Sequence, residues 1–266
     1  MKSFLKNAMI GTAGLALLST SAMAAWTFSD PDLVIGFQAT GGQGSTTNLF
    51  FNLGDSYQFN ENSNLGTVGN INDDLVATYG ANWFSRTDLH YGVIANRSNL
   101  STTFEPGTSG STDPGRTFYL SVPTLAIGDA NLRPQFGSSS LGTGGSNYAG
   151  LRTNLPGFTE TAFADGVASL NQAALPVQWN NSWSVWNPTP GAGFGVFTGG
   201  IQQSFGAGGT ESIVDIQKMV ASTPSTYVGS IIIGSDGSIA AIPEASTSLL
   251  TLAAGALLTF RRRRSA

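Results

Sequence analysis

Apolar and polar residues alternate with a period of two in several short stretches. Leu33, Ile35 and Phe37 fall on one side of an extended segment; Leu49, Phe51 and Leu53 do the same further on, and Phe118, Leu120 and Val122 form a third such run. Each run is bounded by Gly, Pro, Asn or Asp, the residues that punctuate strands with turns. The sharpest local signal is near the end, where Tyr227 to Ile233 leads into Gly234-Ser235-Asp236-Gly237 and out through Ser238 to Ile242. Asp-Gly supplies the positive backbone φ of a tight turn, so this stretch predicts a β-hairpin.

Helical spacing occurs twice. Asn72 is placed to cap a helix over Asp73 to Tyr79, whose acidic first turn suits the helix dipole. Phe163, Val167, Leu170 and Ala174 stand at i, i+4, i+7 and i+11 before Pro176 and predict a second helix, weakened at Gly166 by about 1 kcal/mol relative to alanine. Ser212 to Val220 satisfies both periods; its Ile and Val content and its place beside the hairpin favour a strand. No repeat period points to a solenoid or propeller. The pattern therefore predicts a mainly β body, an antiparallel β-sandwich or jelly-roll-like domain with a few short helices. One domain is the simplest division, and residues 105–115 and 137–150 are where a break would fall.

The two ends follow other rules. Lys2 and Lys6, the apolar run from Ala8 to Leu18 and the small-residue step Ala22-Met23-Ala24 have the order of a secretory signal peptide over residues 1–24, with cleavage between Ala24 and Ala25. At the other end, Ser246 to Phe260 is an apolar run interrupted only by small residues and followed by Arg261, Arg262, Arg263 and Arg264. It is shorter than the roughly 20 residues of a standard spanning helix, but comes within reach once its small polar residues and an arginine stem are drawn in. The arginines would hold the terminus on the cytoplasmic side. These features divide the chain into a signal helix, a β-rich body over 25–241 and a tail over 242–266 with its transmembrane helix at about 246–260.

Removing the ends changes the charge. Half of the 12 basic residues lie in them but only Glu244 of the 16 acids, which leaves the body with a net charge of about −9. An acidic surface without a basic stripe argues against nucleic acid as a partner. The chain has no cysteine, which rules out disulfides, thiolate metal sites and a cysteine nucleophile.

Pro243-Glu244-Ala245, the apolar span and the arginine cluster resemble the PEP-CTERM sorting tail of exported bacterial proteins, with Ala245 in place of the family's second proline. The resemblance implies a chain that meets signal peptidase and then an exosortase, crosses the inner membrane with its tail held there transiently, and ends at the cell surface or outside. Asp32 to Phe37, Asn52-Leu53-Gly54, Asp74 to Gly80 and the final hairpin look more loosely like the bodies that carry such tails. No activity comes with that likeness. Function is left open by it, and the role expected from the whole reading is that of a non-enzymatic surface or biofilm-matrix protein, structural or in weak contact with extracellular polysaccharide.

Candidate chemistry in the body is sparse. His90 is the only histidine, so a Ser-His-acid triad would have to use it, and no Gly-x-Ser-x-Gly elbow occurs. Gly41-Gly42-Gln43-Gly44-Ser45 follows a predicted strand but lacks a P-loop lysine, so a hairpin loop accounts for it better than a phosphate cradle. Trp179, Trp183 and Trp186, set among Asn180, Asn181 and Asn187, are candidate glycan contacts, with core packing as the competing account. Asn72, Asp73 and Asp74, with Asn70, and separately Asp30 with Asp32, are weak oxygen-ligand candidates for calcium; no other cofactor is expected. The competing classes are a polysaccharide hydrolase, which needs two carboxylates in one cleft, and a lectin-like module with the tryptophans exposed on one face.

Overall fold

The computed structural model describes residues 32–56, 66–97, 116–154, 167–180, 182–188, 194–197, 199–206 and 209–244. In chain order these form β1 (Asp32–Ala39), β2 (Thr47–Asp55), β3 (Gly66–Asn70), α1 (Asn72–Tyr79), a 3₁₀ turn (Trp83–Ser85), β4 (Leu89–Asn96), β5 (Phe118–Thr124), α2 (Ser138–Asn154), β6 (Val167–Asn171), α3 (Pro176–Trp179), α4 (Trp183–Trp186), β7 (Gln202–Ser204), β8 (Glu211–Met219), β9 (Thr226–Gly234) and β10 (Ser238–Pro243). The expected signal peptide and the expected tail beyond Glu244 lie outside the described residues. Among the described residues, no helix is long and apolar enough to cross a membrane.

Every strand pairing is antiparallel, as the mainly β pattern predicts. Nine strands form one continuous path in the order β3-β10-β9-β8-β5-β4-β1-β2-β6, and β7 joins β4 beside it. The sheet curls so that one face of nearly every strand points into a shared interior. Leu33, Ile35 and Phe37 of β1 meet Tyr91 and Val93 of β4, Val214 and Ile216 of β8, and Ile231 and Ile233 of β9 there. α1 is tied to the rim, with the buried Tyr79 hydroxyl shared between the carbonyl oxygens of Phe37 and Thr47, each at 3.1 Å.

The opposite face is covered as well. Val34, Phe50, Ile94, Phe118 and Leu120 pack under Leu141, Tyr148 and Leu151 of α2 and under Trp183, Phe194 and Phe197. β1 and β4 are consequently buried along their whole length. Two glycines make the closest approach. Gly36 and Gly92 are direct cross-strand partners, and a methyl group on Gly36 would lie 2.2 Å from the Trp183 indole. The paired glycines leave a shallow trough in the sheet that the indole fills.

Several expectations hold. The hairpin is β9 and β10, closed by a bond from the Gly237 amide to the Gly234 carbonyl with Gly237 at φ +77°. Ser212 to Val220 is chiefly strand β8 and pairs with β9.

Others are corrected. The helix expected around Phe163 to Ala174 is, over its described part, the end strand β6 on β2 and a turn. Val167 turns to the interior while Ala168 and Leu170 join the outer cluster, a division that suits an extended chain. Residues 138–154, which overlap the stretch 137–150 where a second domain would begin if there were one, form α2 although the segment is rich in glycine. Its glycines allow close packing, since a methyl on Gly144 would lie 2.5 Å from the Phe197 ring. Asn72 does not cap α1; its amide donates to Asn70 Oδ1 at 2.9 Å, so the capping role falls two residues earlier.

The trough predicts a contrast between two glycines. Gly36→Ala should destabilise the fold by about 1–3 kcal/mol through overpacking against Trp183. Gly137→Ala, where an added methyl meets nothing within 4 Å, should stay within about 0.5 kcal/mol of the parent. Urea unfolding of the two variants and the parent checks this.

Candidate functional site

The glycine-rich turn between β1 and β2 is organised by an arginine. Arg86 donates through Nε and Nη2 to the two Asp88 carboxylate oxygens at 3.0 and 2.7 Å, through Nη2 to the Gly41 carbonyl at 2.7 Å, and through Nη1 to the carbonyls of Gln43 and Tyr79 at 2.7 and 2.8 Å. These bonds use all five guanidinium N–H groups. They also fix the polarity of the turn, which presents carbonyl oxygens to an internal cation, whereas a phosphate cradle presents amide hydrogens. Gly44, at φ +79°, lets the backbone lie against Tyr79, where a methyl would come within 2.4 Å.

His90 lies beside this corner on the outer face of β4, opposite Gln38 and Ser204. It is 5 % exposed, and its Nδ1 has no hydrogen-bond partner. Burial pulls its pKa below the ordinary imidazole value, opposed by the Asp88 charge. Ser204 is its cross-strand neighbour, but that hydroxyl contacts the Thr87 and Phe205 carbonyl oxygens, each at 2.9 Å. The pair is not joined as nucleophile and base.

The three tryptophans separate. Trp183 is fully buried in the trough, its Nε1 donating to Gln202 Oε1 at 3.2 Å. Gln38 Nε2 also reaches Gln202 Oε1, at 2.7 Å, and the Asn187 carbonyl at 2.6 Å, so the indole sits on a buried amide network. Trp179 and Trp186 are half-buried against the outer cluster. Asn187 is fully buried and Asn180 is exposed; Asn181 lies outside the described residues.

Of the calcium candidates, Asn70, Asn72 and Asp32 are engaged in bonds within the body, and Asp74 is half-buried in the first turn of α1. Asn72 Oδ1 accepts from Trp83 Nε1 at 3.2 Å, and Asn70 Nδ2 donates to the Asp236 carbonyl at 3.0 Å. Asp73 is exposed in the first turn of α1. Asp32 is buried and accepts from Asn52 at 2.8 Å, whereas Asp30 lies outside the described residues. Among the described residues no group of three or more His, Asp or Glu is placed to hold a metal ion.

One polar cluster was not singled out in the sequence. Asp215 and Gln217 lie on the outer face of β8, fully buried. The Asp215 carboxylate accepts from the amides of Gly128 and Ala130, each at 2.9 Å, and from the Ser230 hydroxyl at 2.6 Å. Gln217 accepts from the Arg133 amide at 2.8 Å and donates to the Asn131 carbonyl at 2.9 Å. Arg133 in turn spans to the carbonyls of Ser121, Gly199 and Gly200, and burial lowers its pKa to about 10. The signal in the sequence was the period-two placing of Asp215 and Gln217, which alternate with Val214 and Ile216.

Arg133 lines a cleft of about 420 Å³ with Leu132, Pro134, Asn131 and Gln202 among its walls. A smaller cavity of about 120 Å³ lies between Phe205 and Ser212 and has Glu211 as the one carboxylate among the described residues of its lining. Among the described residues that line them, neither cavity presents the paired carboxylates that glycoside hydrolysis requires. Of the residues expected to form a sorting signal, Pro243 is the last residue of β10, opposite Gly229, and the Glu244 amide donates to the Val228 carbonyl at 3.0 Å. The sheet thus includes Ile242 and Pro243, expected at the head of the tail. Ala22, Ala24, Ala25, Ala245 and Arg261 to Arg264 lie outside the described residues.

The Arg86–Asp88 pair predicts a pH dependence. The Arg86 hydrogen bonds hold the Asp88 pKa below the usual carboxylate value, so the stabilisation is complete above the unfolded pKa of about 4 and is lost as pH falls through the lower folded value. Both groups touch water, so the loss is no more than about 1 kcal/mol. Unfolding curves of the parent and Asp88→Asn at pH 7 and pH 3 should differ at the higher pH and converge at the lower.

No family model, curated protein or solved structure matches the chain.

Proposed function

We propose that the chain is an exported, exosortase-processed protein of the cell surface or extracellular matrix, non-enzymatic, whose body acts structurally or through weak glycan contact. The order of the C-terminal residues carries this reading: Pro243-Glu244, then an uncharged apolar run, then four arginines. Such a run partitions into the bilayer, and the arginines resist translocation. Support from the body is indirect. Among the described residues its acids and amides are largely taken up in internal bonds or scattered, and its lone histidine is not joined to a nucleophile, an arrangement that suits a structural part.

We further read the curled sheet as sandwich-like. A methyl on Gly69 of β3 would lie 2.6 Å from the Phe51 ring of β2, so strands far apart in the pairing order come face to face across the interior.

Glycan contact remains a role for Trp179 and Trp186, whose rings are half-buried at the surface. Replacing both with alanine should abolish retardation in gels containing the host's own extracellular polysaccharide, with the fold intact by circular dichroism. Retardation equal to the parent's would remove these rings from the proposal.

Intact mass of the protein recovered from its own host tests processing. A chain from Ala25 to near Pro243 with exosortase, and a chain keeping Arg261 to Arg264 without it, is the expected result. A tail retained in both strains would refute exosortase processing and leave an anchored β-domain.

A further inference from the structure

The strand directions give the body two poles. β1, β3, β5, β6 and β9 begin at one of them, where β2, β4, β8 and β10 end. Asp32 and Glu244, the first and last described residues, both lie there. So do the residues that flank segments 57–65 and 98–115, namely Ser56 and Gly66, and Arg97 and Arg116. The opposite pole carries the β9–β10 turn, the Arg86-tied glycine turn and α1.

The tether at the first pole is short. The Glu244 amide is still bonded to Val228 in the sheet, and the apolar run begins at Ser246, with Ala245 alone between them. An extended residue spans only about 3.5 Å. A body joined to a bilayer through so little chain has little freedom to tumble above it.

We propose that, while the tail spans the membrane, the pole bearing Gly66, Thr226 and Glu244 is held against the lipid headgroups and the pole bearing Ser235 and the glycine turn faces away. This orientation rests on the membrane-spanning reading of the tail. The nine residues of β9 separate the poles by about 27 Å at the usual strand rise. Surface contacts of the unprocessed protein are then made by the distal pole, and the strand that carries Pro243 meets the membrane end-on.

The cysteine-free sequence permits a direct test. Thr226→Cys and Ser235→Cys place one exposed thiol at each end of β9. Each full-length variant is labelled with a fluorophore and reconstituted into phosphatidylcholine vesicles with or without a headgroup-nitroxide lipid. Quenching at position 226 should exceed that at 235 by at least about threefold, given a separation of about 27 Å. A ten-residue Gly/Ser insert between Glu244 and Ala245 should erase most of the difference. Equal quenching in a chain that floats with the vesicles overturns the orientation and leaves the tail reading standing. A chain that does not float overturns the tail reading and the orientation with it.

Discussion

The sheet has to be covered on both faces, and the contact that makes this possible is the Trp183 indole in the trough above Gly36 and Gly92. A curled sheet buries its inner face in itself, but its outer face then needs material from elsewhere in the chain. The loop-rich segment around α4 supplies it, and a side chain at either glycine would hold that segment off. The indole brings a polar N–H into the contact, which burial would penalise without a partner. Gln202 provides the acceptor, and Gln38 joins Gln202 to the backbone of Asn187. Two missing side chains and one amide network thus fix where the outer layer sits, and β1 and β4 become central strands because of it.

Irregular connections are held by the same economy of buried polar groups. Asp215 and Gln217 replace the missing partners of loop amides and carbonyls between residues 128 and 133, and Arg86 does so for the glycine turn. Each bond satisfies a backbone group that would otherwise be costly to bury. The sparse charges of the sequence are therefore poor indicators of catalysis. Arg86, Asp88, Arg133 and Asp215 all have geometries that explain them as parts of the frame.

The strands were legible because their signals are local. Leu33, Ile35 and Phe37 declare a face within a few residues, and Asp236-Gly237 declares a turn by itself. α2 and β6 were not legible, because their states depend on partners far along the chain. Glycines at 142, 144 and 145 argue against a helix until Phe197 and Asn96 are seen beneath them. Val167, Leu170 and Ala174 have helical spacing, and only pairing with Thr47–Phe51 sets the first two in a strand. Trp183 was open for the same reason, since nothing near it in sequence reveals that two glycines from different strands lie beneath it. The tail candidates were readable as a pattern, whereas the place of Pro243 in β10 was not.

That place has a physical consequence for the body. β10 runs between β3 and β9, so a motif at its end belongs to the interior of the pairing order even though Glu244 itself is exposed. Past Ala241, which pairs with Gly66, the strand is held through β9 by the register of Pro243 with Gly229 and by the Glu244 amide. Proline donates nothing to a ladder, so the last secured point of the strand is one bond made by its neighbour. One such bond contributes only about 1 kcal/mol. An agent that needs Pro243-Glu244 as a free extended segment can therefore peel it from β9 at a cost of that order, without unfolding the sheet whose core ends at Ala241. The end of β10 is held weakly while the sheet behind it is strong, so under the proposed sorting reading one short segment would serve both as the end of a strand and as a recognition sequence.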